Sequence, residues 1–324
     1  RNLYGGDKLP TRIYVVNDRE DGTTLKPTLL RWEVQDETGK KLVWGSEELP
    51  AVKHYGRYYI EPNIQLPVNL PADKVKAKLV LKLTENGLPV SENEYNLLLA
   101  RKDWNINQVA EGKKVLLLDK EGMKDKFDFL HINYQAVSTI KEMMNPKLKA
   151  DLCIISGLTA CTDEEREMLR SYQSKGGKLL LLNSKEVAKA IYPEHITSWI
   201  IPTEGDIVNM ERNDAPVFDG IDVLELRYFN NNKREIPLAC NATLKVNRNE
   251  NLIELAGQMK IHAYIDGGKP EDRIRKIDSM RGFTLLQIKD RKGLATVSTM
   301  CTEKADTEPI AGKLLVNMIN ELLK

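Results

Sequence analysis

Apolar residues alternate with polar ones up to about Trp104, and after about Ile106 they gather into short continuous runs instead. In the first stretch, Ile13 to Val16, Thr28 to Val34, Leu42 to Trp44, Tyr58 to Ile60, Lys76 to Leu83 and Tyr95 to Leu99 each read as a strand with one covered face. Along Lys76–Leu83 the alternation puts Ala77, Leu79, Leu81 and Leu83 on one side. Turn residues separate the runs: Asp18 to Thr24, Thr38-Gly39-Lys40, and Glu85-Asn86-Gly87, whose Asn-Gly pair suits the positive backbone angles of a tight hairpin. Pro62, Pro67 and Pro71 fall between runs, where a missing N–H breaks no ladder. Short strands about 10 residues apart predict an antiparallel β-sandwich over residues 1–104.

Residues 105–324 predict an α/β domain built on a parallel sheet. Lys113 to Asp119, Ala150 to Gly157 and Lys178 to Asn183 are continuous apolar runs, as expected of strands covered on both faces. A helix is expected over 133–144, ending at Asn145-Pro146. A second should start at Thr162, with Glu165 completing a capping box, and run to Lys175, where Gly176-Gly177 closes it. Strand and helix alternating at these lengths imply βαβ units. Phe283–Ile288 and Leu294–Ser298 read as a hairpin, and a last helix begins near Pro309. Residues 192–275 are less regular. No internal repeat stands out.

Composition narrows the function classes. The 324 residues carry 48 Lys plus Arg against 47 Asp plus Glu. A net charge of +1 lacks the excess of cations that nucleic-acid binding needs, so no nucleic-acid partner is expected. No run approaches the roughly 20 apolar residues of a membrane span, so no membrane partner is expected either. The chain opens on Arg1 rather than Met and without a basic-then-apolar leader, which reads as a piece of something larger. Cys153, Cys161, Cys240 and Cys301 are too sparse for a disulfide scaffold and wrongly spaced for zinc; buried thiols are the plainer reading.

Each candidate chemistry has a plainer competitor. Gly176-Gly177 follows a helix, whereas a phosphate loop must open one. The turn after the third parallel strand, Leu182-Asn183-Ser184-Lys185-Glu186, stands where a nucleophile elbow would present Ser or Cys between glycines. Ser184 is the degenerate elbow position there, and reads more simply as a helix N-cap. His54, His131, His195 and His262 are scattered, with no ligand spacing, so neither metal nor cofactor is expected. Asn93-Glu94 has the composition of a glycosidase acid/base pair, but no second carboxylate stands beside it, and loop polarity accounts for it. Trp44, Tyr55 and Tyr58 are the candidate carbohydrate-binding aromatics, with Trp32 and Tyr59 nearby; at strand spacing such residues also serve as core or cross-strand pairs. Beyond the parallel strands, the loops after Asp119, Gly157 and Asn183 are where an open α/β sheet would hold a ligand.

One family resemblance bears on these segments. Ile13 to Asp18, Leu29 to Val34 with the turn Asp36–Gly39, and Ser91-Glu92-Asn93-Glu94-Tyr95 resemble the immunoglobulin-like domains that follow the catalytic barrel in glycoside hydrolase family 2. The second half, through Ala150-Asp151, Thr162 to Arg166, Lys175 to Lys178, Ala215 to Gly220 and Glu308 to Leu315, is similar to class I glutamine-amidotransferase-like, flavodoxin-like domains. The resemblance implies a non-catalytic C-terminal region of a secreted or periplasmic β-galactosidase-like enzyme. Its partners would be the catalytic barrel of the same polypeptide, a further copy in a homo-oligomer, or carbohydrate. No residue here inherits the family's catalytic glutamates or the amidotransferase cysteine. A carbohydrate-binding module, or a hydrolase using Ser184, are the alternatives.

Overall fold

The computed structural model describes residues 1–202, 207–227, 229, 238–259, 271 and 281–324. His262 and parts of the irregular 192–275 segment lie outside them. The chain divides into two compact units, Arg1–Trp104 and Asn105–Lys324.

The first unit is all β. Its strands are β1 (Asn2–Tyr4), β2 (Lys8–Leu9), β3 (Ile13–Val16), β4 (Thr28–Asp36), β5 (Lys41–Leu49), β6 (Arg57–Ile60), β7 (Ile64–Gln65), β8 (Lys74–Glu85) and β9 (Leu88–Ala100). One sheet runs β1-β9-β8-β4-β5, and β3-β6 and β2-β7 form two small pairs. Leu30, Trp32, Val34, Leu79 and Leu81 from the large sheet share one buried cluster with Ile13, Val15 and Ile60 from β3 and β6. The β8–β9 turn uses Asn86 and Gly87, both at positive φ (50° and 80°), as the Asn-Gly signal predicts. Asn93 and Glu94 differ from expectation: they lie inside β9, not in a loop, on opposite faces of a stretch of that strand that is exposed on both. In the opposite sense, Trp32 is held under β5 because Gly45 offers no side chain. A Cβ there would stand 2.2 Å from the indole.

The second unit is a doubly covered sheet. It comprises β10 (Val115–Asp119), α1 (Met123–Phe129), β11 (Gln135–Val137), α2 (Ile140–Met143), β12 (Leu152–Ser156), α3 (Asp163–Ser174), β13 (Lys178–Leu182), α4 (Lys185–Ile191), β14 (Ile196–Ile200), β15 (Ile207–Met210), β16 (Thr243–Val246), β17 (Leu252–Met259), β18 (Arg281–Asp290), β19 (Gly293–Ser298) and α5 (Pro309–Leu323). The parallel strands lie in the order β11-β10-β12-β13-β19, the flavodoxin-like arrangement. β18, β16 and β14 extend the sheet antiparallel, and β17 pairs β18 and β15. Val137, Ile140, Leu169, Val187 and Ile191 pack on one face of the sheet, against Leu116, Cys153, Leu179 and Leu181. The apolar stripe of α5 lies against β12, β13 and β19 on the other. The fold is therefore a β unit followed by an α/β unit.

Local signals explain most of these boundaries. The Thr162 hydroxyl accepts the Glu165 N–H and the Glu165 carboxylate accepts the Thr162 N–H, so the capping box that starts α3 is closed. Gly176 ends that helix at φ 103°. The helix expected over 133–144 is not formed. Residues 135–137 instead make the edge strand β11, and only Ile140–Met143 turn helically, capped by the Thr139 hydroxyl. The sheet edge offers Gln135 and Ala136 an unmet row of backbone partners, which outweighs helical periodicity. All four cysteines are free, with Cys153, Cys240 and Cys301 buried. Among the described residues no helix is long and apolar enough to cross a membrane.

Candidate functional site

The chain order β10-β11-β12 against the spatial order β11-β10-β12 places a topological switch between β10 and β12. Successive connections leave that point in opposite directions, which in open α/β sheets is where a ligand crevice forms beyond the strand ends. Asp119 ends β10 and shapes the first lip. Its Oδ1 accepts the N–H groups of Glu121 and Gly122, each at 3.0 Å, and its Oδ2 accepts that of Lys124, also at 3.0 Å. Burial pushes the Asp119 carboxyl up, but these backbone donors outweigh it and hold the group below the usual range. Asp119 is thus occupied in fixing the turn.

That turn delivers Glu121 across the switch point. Ser156, the last residue of β12, donates its hydroxyl to Glu121 Oε1. Gly157 follows at φ 66°, and a Cβ there would lie 2.7 Å from the Glu121 Cβ, so only glycine lets the two loops approach this closely. Asn183 follows β13 at φ 47°, its N–H held by the Ser298 carbonyl at 2.8 Å. Its Nδ2 donates to Glu121 Oε1 at 3.4 Å and to Glu303 Oε2 at 3.1 Å, which brings the two carboxylates together over the strand ends. Asn241 Nδ2 reaches Glu303 Oε1 at 3.2 Å, and Cys301 Sγ bonds Asn241 Oδ1 at 3.4 Å. Burial is the main cause that pushes the Glu121 carboxyl above the usual range; Glu303 adds to it, while Ser156 and Asn183 oppose it. Burial also pushes the Cys301 thiol well up, so it is no thiolate nucleophile.

A carboxyl whose folded pKa is raised contributes stability below the ordinary carboxylate range and loses it as pH rises through its own range. Glu121→Gln keeps an acceptor for Ser156 and removes the charge. The variant should therefore be more stable than the wild type by about 1 kcal/mol at pH 8, a gain that vanishes near pH 4. Urea denaturation at the two pH values checks this; an equal difference at both would contradict it.

The residues singled out from the sequence distribute as follows. Ser184 is 1 % exposed and opens α4, yet its side chain caps nothing. Its Oγ accepts the Leu158 N–H at 3.0 Å and donates to the Leu182 carbonyl at 2.9 Å. The strained turn position falls one residue earlier, on Asn183. Trp44 is two-thirds exposed on β5, next to the core-facing Gly45 and so on the outer face of the large sheet. Tyr58 lies on β6, paired with Val15 in the other layer, and Tyr55 stands on a turn at φ 55°, its ring 3.9 Å from His54. No ring contact joins Trp44, Tyr55 and Tyr58 to one another among the described residues. The aromatic pair that does meet is Tyr14 with Tyr59, 5.6 Å apart, with the Arg12 guanidinium 4.8 Å over Tyr59. His195 accepts an amide hydrogen of Asn249 on Nδ1 at 2.7 Å, and burial pushes its imidazole down. Among the described residues no three His, Cys, Asp or Glu converge as metal ligands.

Glu121 and Glu303 were not picked out in sequence, and Asn183 only as the start of a candidate loop. The available signal was Asp119-Lys120-Glu121-Gly122 directly after a buried strand, since an acid two residues past a strand C-terminus lands at the crevice.

No protein-family model matches this chain, and no curated protein does. Among solved structures, a ThuA-like protein from Bacteroides uniformis is similar at 10% identity over 66% of this chain and 93% of its own, with a TM-score of 0.42. The β-galactosidase of Rahnella sp. R3 matches at 10% identity over 65% of this chain and 31% of its own, with a TM-score of 0.39. The β-galactosidase of Bacillus circulans sp. alkalophilus gives 12%, 65%, 31% and 0.38. The chain thus spans under a third of the length of either β-galactosidase. At these values no residue role or reaction is carried across.

Proposed function

We propose that this chain is a non-catalytic accessory region of a carbohydrate-degrading enzyme of the family 2 type, and that the switch-point crevice of its α/β unit binds polyhydroxylated ligand. The observation that supports this reading is Asn183. The strained turn that would carry a nucleophile carries an amide, and that amide is spent on bridging Glu121 and Glu303. A cluster of two carboxyls and two amides is rich in acceptors and matches the hydroxyl donors of a sugar. A hydrolase built on Ser184 has no such support, because both of its hydrogen-bonding directions are used by the backbone. A secreted or periplasmic setting and a catalytic barrel as partner belong to the same proposal.

Calorimetric titration with β-linked galacto-, manno- and gluco-oligosaccharides tests it. Binding is expected in the wild type, and Asn183→Ala should weaken it at least tenfold, the loss of about 1.4 kcal/mol. Trp44→Ala should leave it unchanged. Flat titrations with all three sugars would contradict the binding reading.

A further inference from the structure

A pocket of about 380 Å³ in the α/β unit is lined by Arg170 on α3, by Tyr192, Glu194 and His195 after α4, by Asn249 between β16 and β17, and by Asp290 at the end of β18. Asp290 pairs with Gly293, the first residue of β19. The pocket therefore lies where the parallel strands begin, at the opposite end of the sheet from the Glu121–Glu303 crevice. His195 is 6 % exposed, and its backbone is held on both sides. Its N–H reaches the Tyr192 carbonyl at 3.0 Å, and its carbonyl accepts the Asn247 N–H at 2.8 Å. Its tautomer is set through Asn249. Asn249 Oδ1 accepts the Asn251 N–H at 3.0 Å, which turns Nδ2 toward His195 Nδ1, 2.7 Å away. Nδ1 is thus the acceptor and Nε2 carries the hydrogen. That Nε2–H stands 3.9 Å from Glu194 Oε1, beyond hydrogen-bonding distance, and no other described residue accepts it.

A donor on a ring this deeply buried has lost hydration that a partner in the pocket can replace. Glu194 and Asp290 supply matching acceptors. Glu194 Oε2 is taken by Arg170 Nη2 at 2.9 Å, while Oε1 and the Asp290 carboxylate receive no hydrogen bond among the described residues. Charge narrows the occupant. Arg170 and Lys289 offset Glu194 and Asp290 along the lining, and burial keeps the His195 imidazole neutral by pushing it below its usual range. A bare anion would face two carboxylates, and a bare cation would face the guanidinium and the ammonium. A hydroxyl suits both sides, because one oxygen accepts from an N–H and donates to a carboxylate. Placed about 2.8 Å from each, it bridges the gap between His195 Nε2 and Glu194 Oε1. An amide would need two separate atoms for the same pair of bonds. We propose that this pocket binds one neutral sugar unit or polyol, with His195 donating to it and Glu194 and Asp290 accepting from it. Its volume falls among those of small-ligand pockets, about 300–1,000 Å³. The site stands apart from the crevice, and its case does not depend on the crevice holding sugar.

The test labels the histidines of the whole chain with heavy nitrogen and follows their rings by NMR during titration with the methyl β-glycosides of galactose, mannose and glucose. His195→Gln assigns the resonance. A saturable shift of the His195 Nε2–H is expected with at least one glycoside. Asp290→Ala should weaken that binding at least tenfold at unchanged circular dichroism, as loss of a hydrogen bond to a charged group does. Asn183→Ala, in the crevice, should leave the His195 titration as in the wild type, so the two sites hold or fail separately. No His195 shift with any glycoside would overturn the proposal, since water alone would then satisfy the N–H. Equal affinity of Asp290→Ala would do so as well, and so would a shift produced by inorganic phosphate but by no glycoside, which would mark an anion site.

Discussion

Gly293→Ala is expected to destabilise the α/β unit by about 3 kcal/mol, the upper range for a group forced into a packed interior. Gly293 opens β19 after the tight turn from Asp290, and the last turns of α3 lie directly on it. A Cβ at this position would stand 1.9 Å from the Gln173 carbonyl oxygen and 2.7 Å from its carbon. These are backbone atoms, so no side-chain rotation relieves the overlap, and α3 would have to lift from the sheet. Gln173 itself is buried and donates its amide to the Ile288 carbonyl at 3.0 Å, so lifting α3 also breaks that bond. Urea denaturation followed by far-UV circular dichroism reads the loss. A change below about 0.5 kcal/mol, the size of an ordinary surface substitution, would contradict the packing described here.

Trp32→Ala should cost the β unit about 3–5 kcal/mol, as large aromatic truncations in cores do. The indole lies in the buried cluster beside Leu30 and Val34 and fills the space that Gly45 leaves on β5. Alanine removes the ring from both strands at once, and the leucines around it are anchored in β4 and β8 ladders that limit collapse. Trp44→Ala, one residue from Gly45 but on the outer face, should change stability by no more than about 0.5 kcal/mol. Denaturation of the two variants side by side checks the assignment of faces; similar losses would reverse it.

Which parts of this architecture were legible in sequence follows from how many constraints each residue carried. Val115–Asp119, Leu152–Ser156 and Lys178–Leu182 read correctly because a strand covered on both faces must be apolar throughout. Thr162 with Glu165, and Asn86 with Gly87, read correctly because each pair satisfies a local backbone need. α1 was missed because only Met123 and Phe127 anchor it, too few for a helical period. β11 was read as helix because an edge strand of three residues, two of them exposed, leaves no alternation to detect. The crevice was legible in place but not in content. The loops after Asp119, Gly157 and Asn183 follow from the order of strands, whereas the meeting of Glu121 with Glu303 depends on how β19 and the segment after it return to β13. Asn183 was passed over as a site residue because the elbow pattern asks for Ser or Cys at the turn, although asparagine also tolerates the left-handed region through its short polar side chain.

The proposed function assigns Glu121, Asn183, Asn241 and Glu303 to holding hydroxyl groups rather than attacking them. The most direct measurement is release of nitrophenol from β-galactoside, β-mannoside, β-glucuronide and acetyl ester substrates by the purified chain. No release above the uncatalysed rate is predicted at any pH between 4 and 9, for the wild type and for Glu121→Gln alike. Turnover by the wild type that Glu121→Gln abolishes would contradict it, by assigning the Glu121–Glu303 pair to acid–base work.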